Sequence, residues 1–295
     1  MTNNPISDEH QMYQAYPQEE ETQRSAYHYE QHPQFYYYFT GGEWNVYSCI
    51  IWPNEESTPT EAQQAKLDLL AKEMQLKPGM RILDVGCGWG GPLTYLCKTY
   101  GVTGVGITVS PKQRDEAEAR AARYGVDAKF QLTHWENFFD EQGFDAIYSD
   151  EVIVHFFNLS AFFAHCGQML HDGGRMVHKE LHFTHKRHTQ FGRTGEHAHA
   201  VFGFSGSYRL LAEELQLLHD ADFEVVQVTQ IPIAQYQRTM DFWLHNLFEN
   251  REAIKALVGE QVYSDFRKYI KIYRWAFTTN ALTLDVITSQ KVTAK

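Results

Sequence analysis

The sequence predicts an α/β fold, a doubly wound sheet that binds its ligand at the carboxyl ends of the strands. Three observations predict it. Ile82, Leu83 and Val85 form a short apolar run suited to a buried parallel strand. Gly86, Gly88 and Gly90 follow at alternate positions and lead into a helix-forming stretch, 92–99. Strand, glycine turn and helix N-terminus together make a nucleotide-type cradle, because missing Cβ atoms admit a ligand to the backbone and the helix offers free N–H groups. Beyond this point strand-like and helix-like segments alternate. No Lys-Ser or Lys-Thr follows the glycines, which excludes a phosphate-gripping P-loop.

The elements follow in order. Residues 1–25 are polar and rich in Gln and Glu, and are expected to be a mobile tail. Residues 26–75 are expected to form a helical cap. Within it Tyr27, Tyr29, Phe35, Tyr36, Tyr37, Tyr38, Phe39, Trp44, Tyr47 and Trp52 crowd together. Phe35 and Phe39 stand one helical turn apart, so part of this cluster is helix packing. Lining of an apolar or cation-stabilising cavity is a compatible second reading. A helix over 60–75 carries Leu67, Leu70 and Met74 on one face, and Lys77-Pro78-Gly79 breaks it.

The main domain is expected over 76–295. After the first strand come a second at 102–109 and a helix over 111–124 opened by Ser110. Strands at 128–132 and 144–149, a helix over 159–170 and a fifth strand at 175–181 after Gly173-Gly174 continue the pattern. An irregular insertion spans about 182–207, and six of the fifteen histidines lie between His178 and His199. A helix over 210–219, a strand at 224–230, helices over 238–257 and 261–276 and a last strand at 282–288 complete the chain. No internal repeat is visible.

Composition narrows the function. The chain has 295 residues, 43% of them hydrophobic and 21% charged, with a formal net charge of −11. An acidic protein of this kind is not expected to bind nucleic acid, and contact with a membrane is expected to be peripheral at most. The longest apolar runs fall well short of the roughly 18 residues a membrane span needs. The N-terminus has no apolar signal core, and Cys49, Cys87, Cys97 and Cys166 show no paired spacing, so a cytoplasmic protein with reduced thiols is expected. No metal-ligand set is expected.

Dinucleotide folds place an acid at the end of the second strand to hold a ribose. Here that strand ends Ile107-Thr108-Val109-Ser110-Pro111-Lys112-Gln113, with no acid. With this segment, Tyr47-Ser48-Cys49, Leu83–Gly90, Trp135-Glu136 and Tyr236–Trp243 stand in order along the chain. From about residue 26 onward the chain resembles the cyclopropane fatty-acid synthase family of S-adenosylmethionine-dependent methyltransferases, mycolic-acid methyltransferases included. The resemblance implies a Rossmann-like, seven-stranded methyltransferase sheet with S-adenosylmethionine as cofactor. It implies that Tyr47, Ser48, Gly86, Gly88, Thr108, Gln113, Trp135 and Glu136 line the cofactor. The residue chemistry agrees: Asp84 can orient the loop or the cofactor's ammonium, Thr108 and Gln113 can bond ribose hydroxyls, and Trp135 can cover the adenine.

By the same resemblance the reaction is methyl transfer to an alkene carbon, producing a carbocation that closes to a ring, takes up water or loses a proton. Aromatic walls suit such a cation, and a base must stand within reach of it. Cyclopropane-forming members hold a bicarbonate with a Cys, a Glu-His pair, a further His and a Tyr. Cys49, His155 and Tyr236 match that set, but Ile153-Val154-His155 lacks the Glu, and Val177-His178-Lys179-Glu180 shifts or replaces the second His. A bicarbonate is therefore doubtful. Tyr273 occupies the place of a C-terminal cysteine found in mycolic-acid members.

Two acids enter where the family pattern has none, Glu151 and Glu180, each at a strand's carboxyl edge. One of them is expected to be the base that turns the cation into a methylated alkene. If the stretch after 150 is helical, Glu151 lies one turn before Val154. The plainer alternative pairs either acid with Lys179, Arg175 or Lys186. The basic stretch with His182, His185, Lys186, Arg187, His188, Arg193 and His199 is either a solvated loop or a grip on an anionic head group, and Mg2+ enters only if the acceptor is a diphosphate. Fatty-acyl or prenyl alkenes are the expected acceptors. Alkaloid N-methyltransferases share the family and keep a small-molecule amine as an alternative. A homo-oligomer is compatible with the sequence.

Overall fold

A computed structural model describes residues 28–189, 197, 201 and 209–292. The expected tail at 1–25, and most of the expected insertion at 182–207, lie outside these residues.

Two short helices open the described chain: α1 (Pro33–Thr40) and α2 (Pro59–Met74). Helix α2 starts at a capping box. The Thr58 hydroxyl accepts from the Glu61 N–H while the Glu61 carboxylate accepts from the Thr58 N–H. Pro59 is pre-set for the first turn, and left-handed Gln75 stops the helix before Lys77-Pro78-Gly79. Leu67, Leu70 and Met74 are buried as the periodicity requires.

The doubly wound unit follows as β1 (Arg81–Val85), α3 (Gly91–Tyr100), β2 (Thr103–Thr108), α4 (Pro111–Tyr124), β3 (Ala128–Leu132) and β4 (Phe144–Asp150). Next come α5 (Leu159–Met169), β5 (Leu170–Phe183), β6 (Arg209–Leu210), α6 (Leu211–Asp220), β7 (Phe223–Gln230), α7 (Ile233–Glu249), α8 (Arg251–Thr278) and β8 (Leu282–Lys291). The sheet runs β3-β2-β1-β4-β5-β8-β7, with β8 antiparallel to its two neighbours and β6 a short parallel addition to β5. The chain adds strands outward on one side of β1 and then crosses to the other at β4, which is parallel to β1, and the crevice outside their carboxyl ends is the ligand position for such sheets.

Several boundaries differ from the sequence expectation. Strand β5 extends to Phe183 because β8 pairs with it along nine positions, Arg175↔Gln290 to Phe183↔Leu282. Glu180 therefore lies inside a strand rather than after one. The C-terminal helices break at Asn250, whose side chain donates to the Tyr38 and Asn246 carbonyls, and α8 kinks at Gly259 (φ 85°).

Alternating strand side chains feed two cores. Leu83, Val85, Val105 and Ile107 pack with α5 and α6, whereas Ile82, Ala146, Tyr148 and Val177 meet α1, α2, α7 and α8. The second core holds most of the N-terminal aromatics. Phe35 packs edge-on to Phe266 (centroids 4.8 Å apart) and Phe39 to Trp243 (5.8 Å), so the helix-packing reading accounts for both.

Candidate active site

A cleft of about 1100 Å³, counting its open mouth, sits at the carboxyl ends of β1, β2 and β4. Tyr47, Ser48, Asp84, Gly86, Gly88, Thr108, Gln113 and Trp135 all line it. Glu136 does not: it stands in the turn Trp135–Asn137 with its side chain 45% exposed. The period of that turn points it away from the side Trp135 occupies.

The glycine loop is held by the Ile107 carbonyl, which accepts from both the Gly86 and Cys87 N–H groups at 3.0 Å. The two glycines serve different ends. Gly88 (φ 51°) faces open space, since a Cβ there would meet nothing within 4 Å, so a ligand can reach its backbone. Gly86 (φ 76°) is required by the protein itself, because a Cβ would strike the Val152 side chain at 2.5 Å. Thr108 donates to the Gln113 side chain at 2.7 Å, fixing the pair that stands in place of the ribose-binding acid. Trp135 packs edge-on to Phe162 (5.3 Å), and its buried Nε1 has no hydrogen-bond partner. Asp84 accepts from the Tyr148 hydroxyl at 2.6 Å, yet burial pushes its carboxyl up to about 7. A buried carboxyl in that state is completed by a cation.

A second, smaller chamber of about 420 Å³ lies deeper, between the cap and the C-terminal helices. Its walls are Tyr29, Tyr47, Leu181, Tyr236, Met240, Trp243, Tyr269 and Tyr273, with Glu151 as the single acid among the described lining residues. Tyr29, Tyr47 and Glu151 line both spaces. Tyr29 pairs with His155 Nε2 at 2.9 Å, and burial drives the His155 imidazole down to about 3, so it is neutral. Tyr236 stacks on Phe277 (3.7 Å), and burial raises its phenol well above the usual range.

Glu151 follows β4 in a left-handed conformation (φ 59°), rare for a residue with a side chain and found where a site over-determines it. It is therefore not one helical turn before Val154; the turn Ile153–His155 begins only after it. Its Oε1 accepts from the Cys49 N–H at 2.8 Å and pairs with Lys179. Lys179 also meets Asp150 at 2.8 Å, and Asp150 in turn pairs with Lys66 and accepts from the Ser48 hydroxyl at 2.7 Å. Burial acts against the charges of Lys179, Asp150 and Lys66. For Lys179 the two carboxylates outweigh burial and raise the ammonium above the lysine range; Lys179 and Lys66 likewise hold Asp150 below the carboxylate range. For Lys66 burial wins and lowers it.

Glu180 is placed elsewhere. It lines neither space, and its carboxylate accepts from the Val154 N–H (3.2 Å) and the Leu181 N–H (2.9 Å). Burial pushes it up to about 8. Cys49 contributes its amide rather than its thiol: Sγ faces Thr239 and burial raises it to about 12. Val154 is buried, and His178 points to Glu214 (2.7 Å). The described residues of the basic stretch, 182–189 and 197, line neither space. Among the described residues no cluster fit to hold a metal ion is found, and no helix is long and apolar enough to cross a membrane.

Sequence reasoning missed Asp150, Lys66, Tyr148 and Tyr269. Lys66 carried a readable signal. It lies on the buried stripe of α2 with Ala62, Gln63, Leu67 and Leu70, where a lysine persists only with a partner. Tyr269 lies one turn from Tyr273 on the buried face of α8.

Comparison with known proteins identifies the family and the fold. The family model for mycolic acid cyclopropane synthetase matches residues 17–287. The S-adenosylmethionine-dependent methyltransferase UmaA of Mycobacterium tuberculosis is 32% identical over 238 residues, 76% of this chain and 82% of that one. Hydroxymycolate synthase MmaA4 of the same organism is 30% identical over 267 residues, covering 83% and 85%. Among solved structures, mycolic acid cyclopropane synthase CmaA1 complexed with SAH and CTAB superposes with a TM-score of 0.86 at 26% identity, covering 94% of this chain and 99% of that one. The chain belongs to the mycolic acid cyclopropane synthetase family and is an S-adenosylmethionine-dependent methyltransferase.

Proposed function

We propose that the protein methylates an alkene carbon of an apolar, lipid-like acceptor and that Glu151 then removes a proton, giving a methyl-branched alkene. One observation carries the reading: among the described residues Glu151 is the single acid that lines both the cofactor cleft and the aromatic chamber.

The cleft fits S-adenosylmethionine. Asp84, held by the Tyr148 hydroxyl, is placed to accept the cofactor's ammonium, Thr108 and Gln113 offer paired polar groups to a ribose, and Gly88 leaves room at the backbone. When bound, the cofactor supplies a methyl group on sulfur: the alkene's π pair forms the new C–C bond, the S–C pair stays on sulfur, and the acceptor is left cationic. The chain's own residues then deal with that charge. The ring faces of Tyr29, Tyr236, Trp243 and Tyr273 attract it without attacking it. A C–H bond beside the cationic carbon breaks, its electron pair becomes the new double bond, and the proton goes to the Glu151 carboxylate. Basicity is no obstacle, since a carbocation is a far stronger acid than any carboxyl; placement decides the outcome.

The same aromatic cage with one carboxylate also favours a second reading, N-methylation of a small amine, because such cages bind ammonium groups. Incubating the enzyme with labelled cofactor and, separately, an unsaturated phospholipid, geranyl or farnesyl diphosphate, and a cyclic amine separates the cases. Turnover of an alkene, with product NMR showing a methyl branch, supports the proposal. A cyclopropane ring, formed by losing a proton from the transferred methyl group instead, overturns the branched-alkene product, and exclusive amine turnover overturns the acceptor class.

A further inference from the structure

We propose that Lys179 is a positioning residue for this proton transfer. Together with the Cys49 amide it clamps Oε1 of Glu151, so that Oε2 alone is presented to the acceptor chamber as the proton-accepting atom. The inference rests on the reading of Glu151 as the base.

The contacts divide the carboxylate's two oxygens. Oε1 receives both the Cys49 N–H and the Lys179 ammonium, while no hydrogen bond to Oε2 forms among the described residues. Lys179 is itself anchored. Asp150 and Lys179 face each other across the β4–β5 register, the Glu151 N–H donates to the Lys179 carbonyl at 2.7 Å, and the ammonium also meets Asp150 Oδ1 at 2.8 Å. The remaining oxygen of Asp150 is taken by Ser48 and Lys66. Lys66, Asp150, Lys179 and Glu151 thus form a chain of alternating charge that sums to zero, which lowers the cost of burying it. A carboxylate free to rotate would present either oxygen. One held by two donors on the same oxygen presents the other.

The groups around Glu151 explain why Lys179 matters for charge as well. On β5 stand Lys179 and Glu180; on β4, Asp150; on α2, Lys66; in the cap, Tyr29, Tyr47 and Cys49. His155 stands on the following turn, and Tyr236, Tyr269 and Tyr273 on α7 and α8. The two lysines are the cations in this set, and Lys66 is committed to Asp150. Without Lys179, Glu151 would face Asp150 and Glu180 with no direct counter-charge. Lys179 donates no proton in the step; its two carboxylates keep it an ammonium.

The test uses benzyltrimethylammonium, a permanent cation that mimics the methylated intermediate. Its binding to the full-length protein with S-adenosylhomocysteine is measured by calorimetry at a single pH. Glu151→Gln is expected to bind at least ~10-fold more weakly. Lys179→Met leaves the carboxylate free to turn, so the probe should bind about 10-fold more weakly while S-adenosylhomocysteine affinity changes less than ~3-fold. Lys179→Arg restores the charge but spreads a planar fork over both oxygens, so it should also weaken the probe by about 10-fold. A folded Lys179→Met with wild-type probe affinity overturns the positioning role and leaves the base reading standing. If Lys179→Met does not fold, Lys179→Arg with wild-type probe affinity overturns it instead. Unchanged binding in Glu151→Gln overturns the base reading itself.

Discussion

The cofactor cleft and the acceptor chamber meet at Tyr29, Tyr47 and Glu151 but are built in opposite ways. The cleft is assembled from strand ends and the loops after them, so its residues come in short runs: Gly86 and Gly88, Thr108 and Gln113, His134 and Trp135. The chamber has no such run. Tyr29 comes from the cap, Leu181 from β5, Tyr236 and Trp243 from α7, and Tyr269 and Tyr273 from α8. The first arrangement fixes a donor by local backbone shape. Under the proposed function the second shapes an acceptor by what remote elements leave between them, which is where proteins with one cofactor are free to differ in product.

Substitutions should therefore divide by region. The largest effect is expected from Glu151→Gln, which keeps size and removes the base. Turnover should fall about 10³-fold, the range of a positioned general base, while cofactor affinity measured by calorimetry stays within ~3-fold. A comparable loss of cofactor binding would merge the two regions into one functional unit. Gly88→Val tests the other side. A β-branched residue at φ 51° strains the loop and fills open space in the cleft, so cofactor dissociation should rise roughly 30-fold. If cofactor binding is instead unaffected, the glycine is not a point of contact. Trp243→Leu removes one ring from the chamber wall, where it lies 5.2 Å from Tyr47. Losing one desolvated cation–π contact should lower turnover by about 10- to 30-fold with cofactor affinity intact.

This division also governs how much was legible in the sequence. Strand–glycine–helix patterning located β1 to β4 within a residue or two, and eight of the nine expected cofactor residues line the cleft. Their geometry is local, so spacing along the chain suffices. Gly86 shows the limit even there: its freedom from a side chain serves Val152, a packing partner that no spacing reveals. The chamber was legible only in parts. Tyr236, Trp243 and Tyr273 were singled out on α7 and α8, but Tyr269 was not, and nothing along the chain shows that Leu181 of β5 closes the same wall. Lys179 illustrates a false choice. Pairing with a lysine and a place in the site stand as alternatives for Glu151 in the sequence, yet Glu151 pairs with Lys179 and still lines both spaces.

Glu180→Gln is the smallest expected effect and the sharpest check on the division, since Glu180 and Glu151 were equal candidates in the sequence. Pairing of β5 with β8 past residue 180 keeps Glu180 within the sheet, and its carboxylate serves the Val154 and Leu181 amides instead of a cavity. Its substitution should change turnover less than ~5-fold, against the 10³-fold expected at Glu151. The clearer readout is stability. Burial lifts this carboxyl from its ordinary value of 4.5 to about 8, so between those limits the folded protein holds a proton that the unfolded chain has released. The stabilisation is complete below pH 4.5, declines as pH rises and is gone once pH has passed about 8. Glu180→Gln removes this titration, so the melting temperature of the variant should gain on the wild type across that window, by up to roughly 10 °C, and stay level above it. His182, held near pH 10 against burial by Glu214 and Asp285, is common to both proteins and cancels in the difference. A flat difference would mean that Glu180 ionises at its ordinary value. If turnover also fell as far as in Glu151→Gln, the strand acid would be the base and the chamber would extend beneath β5.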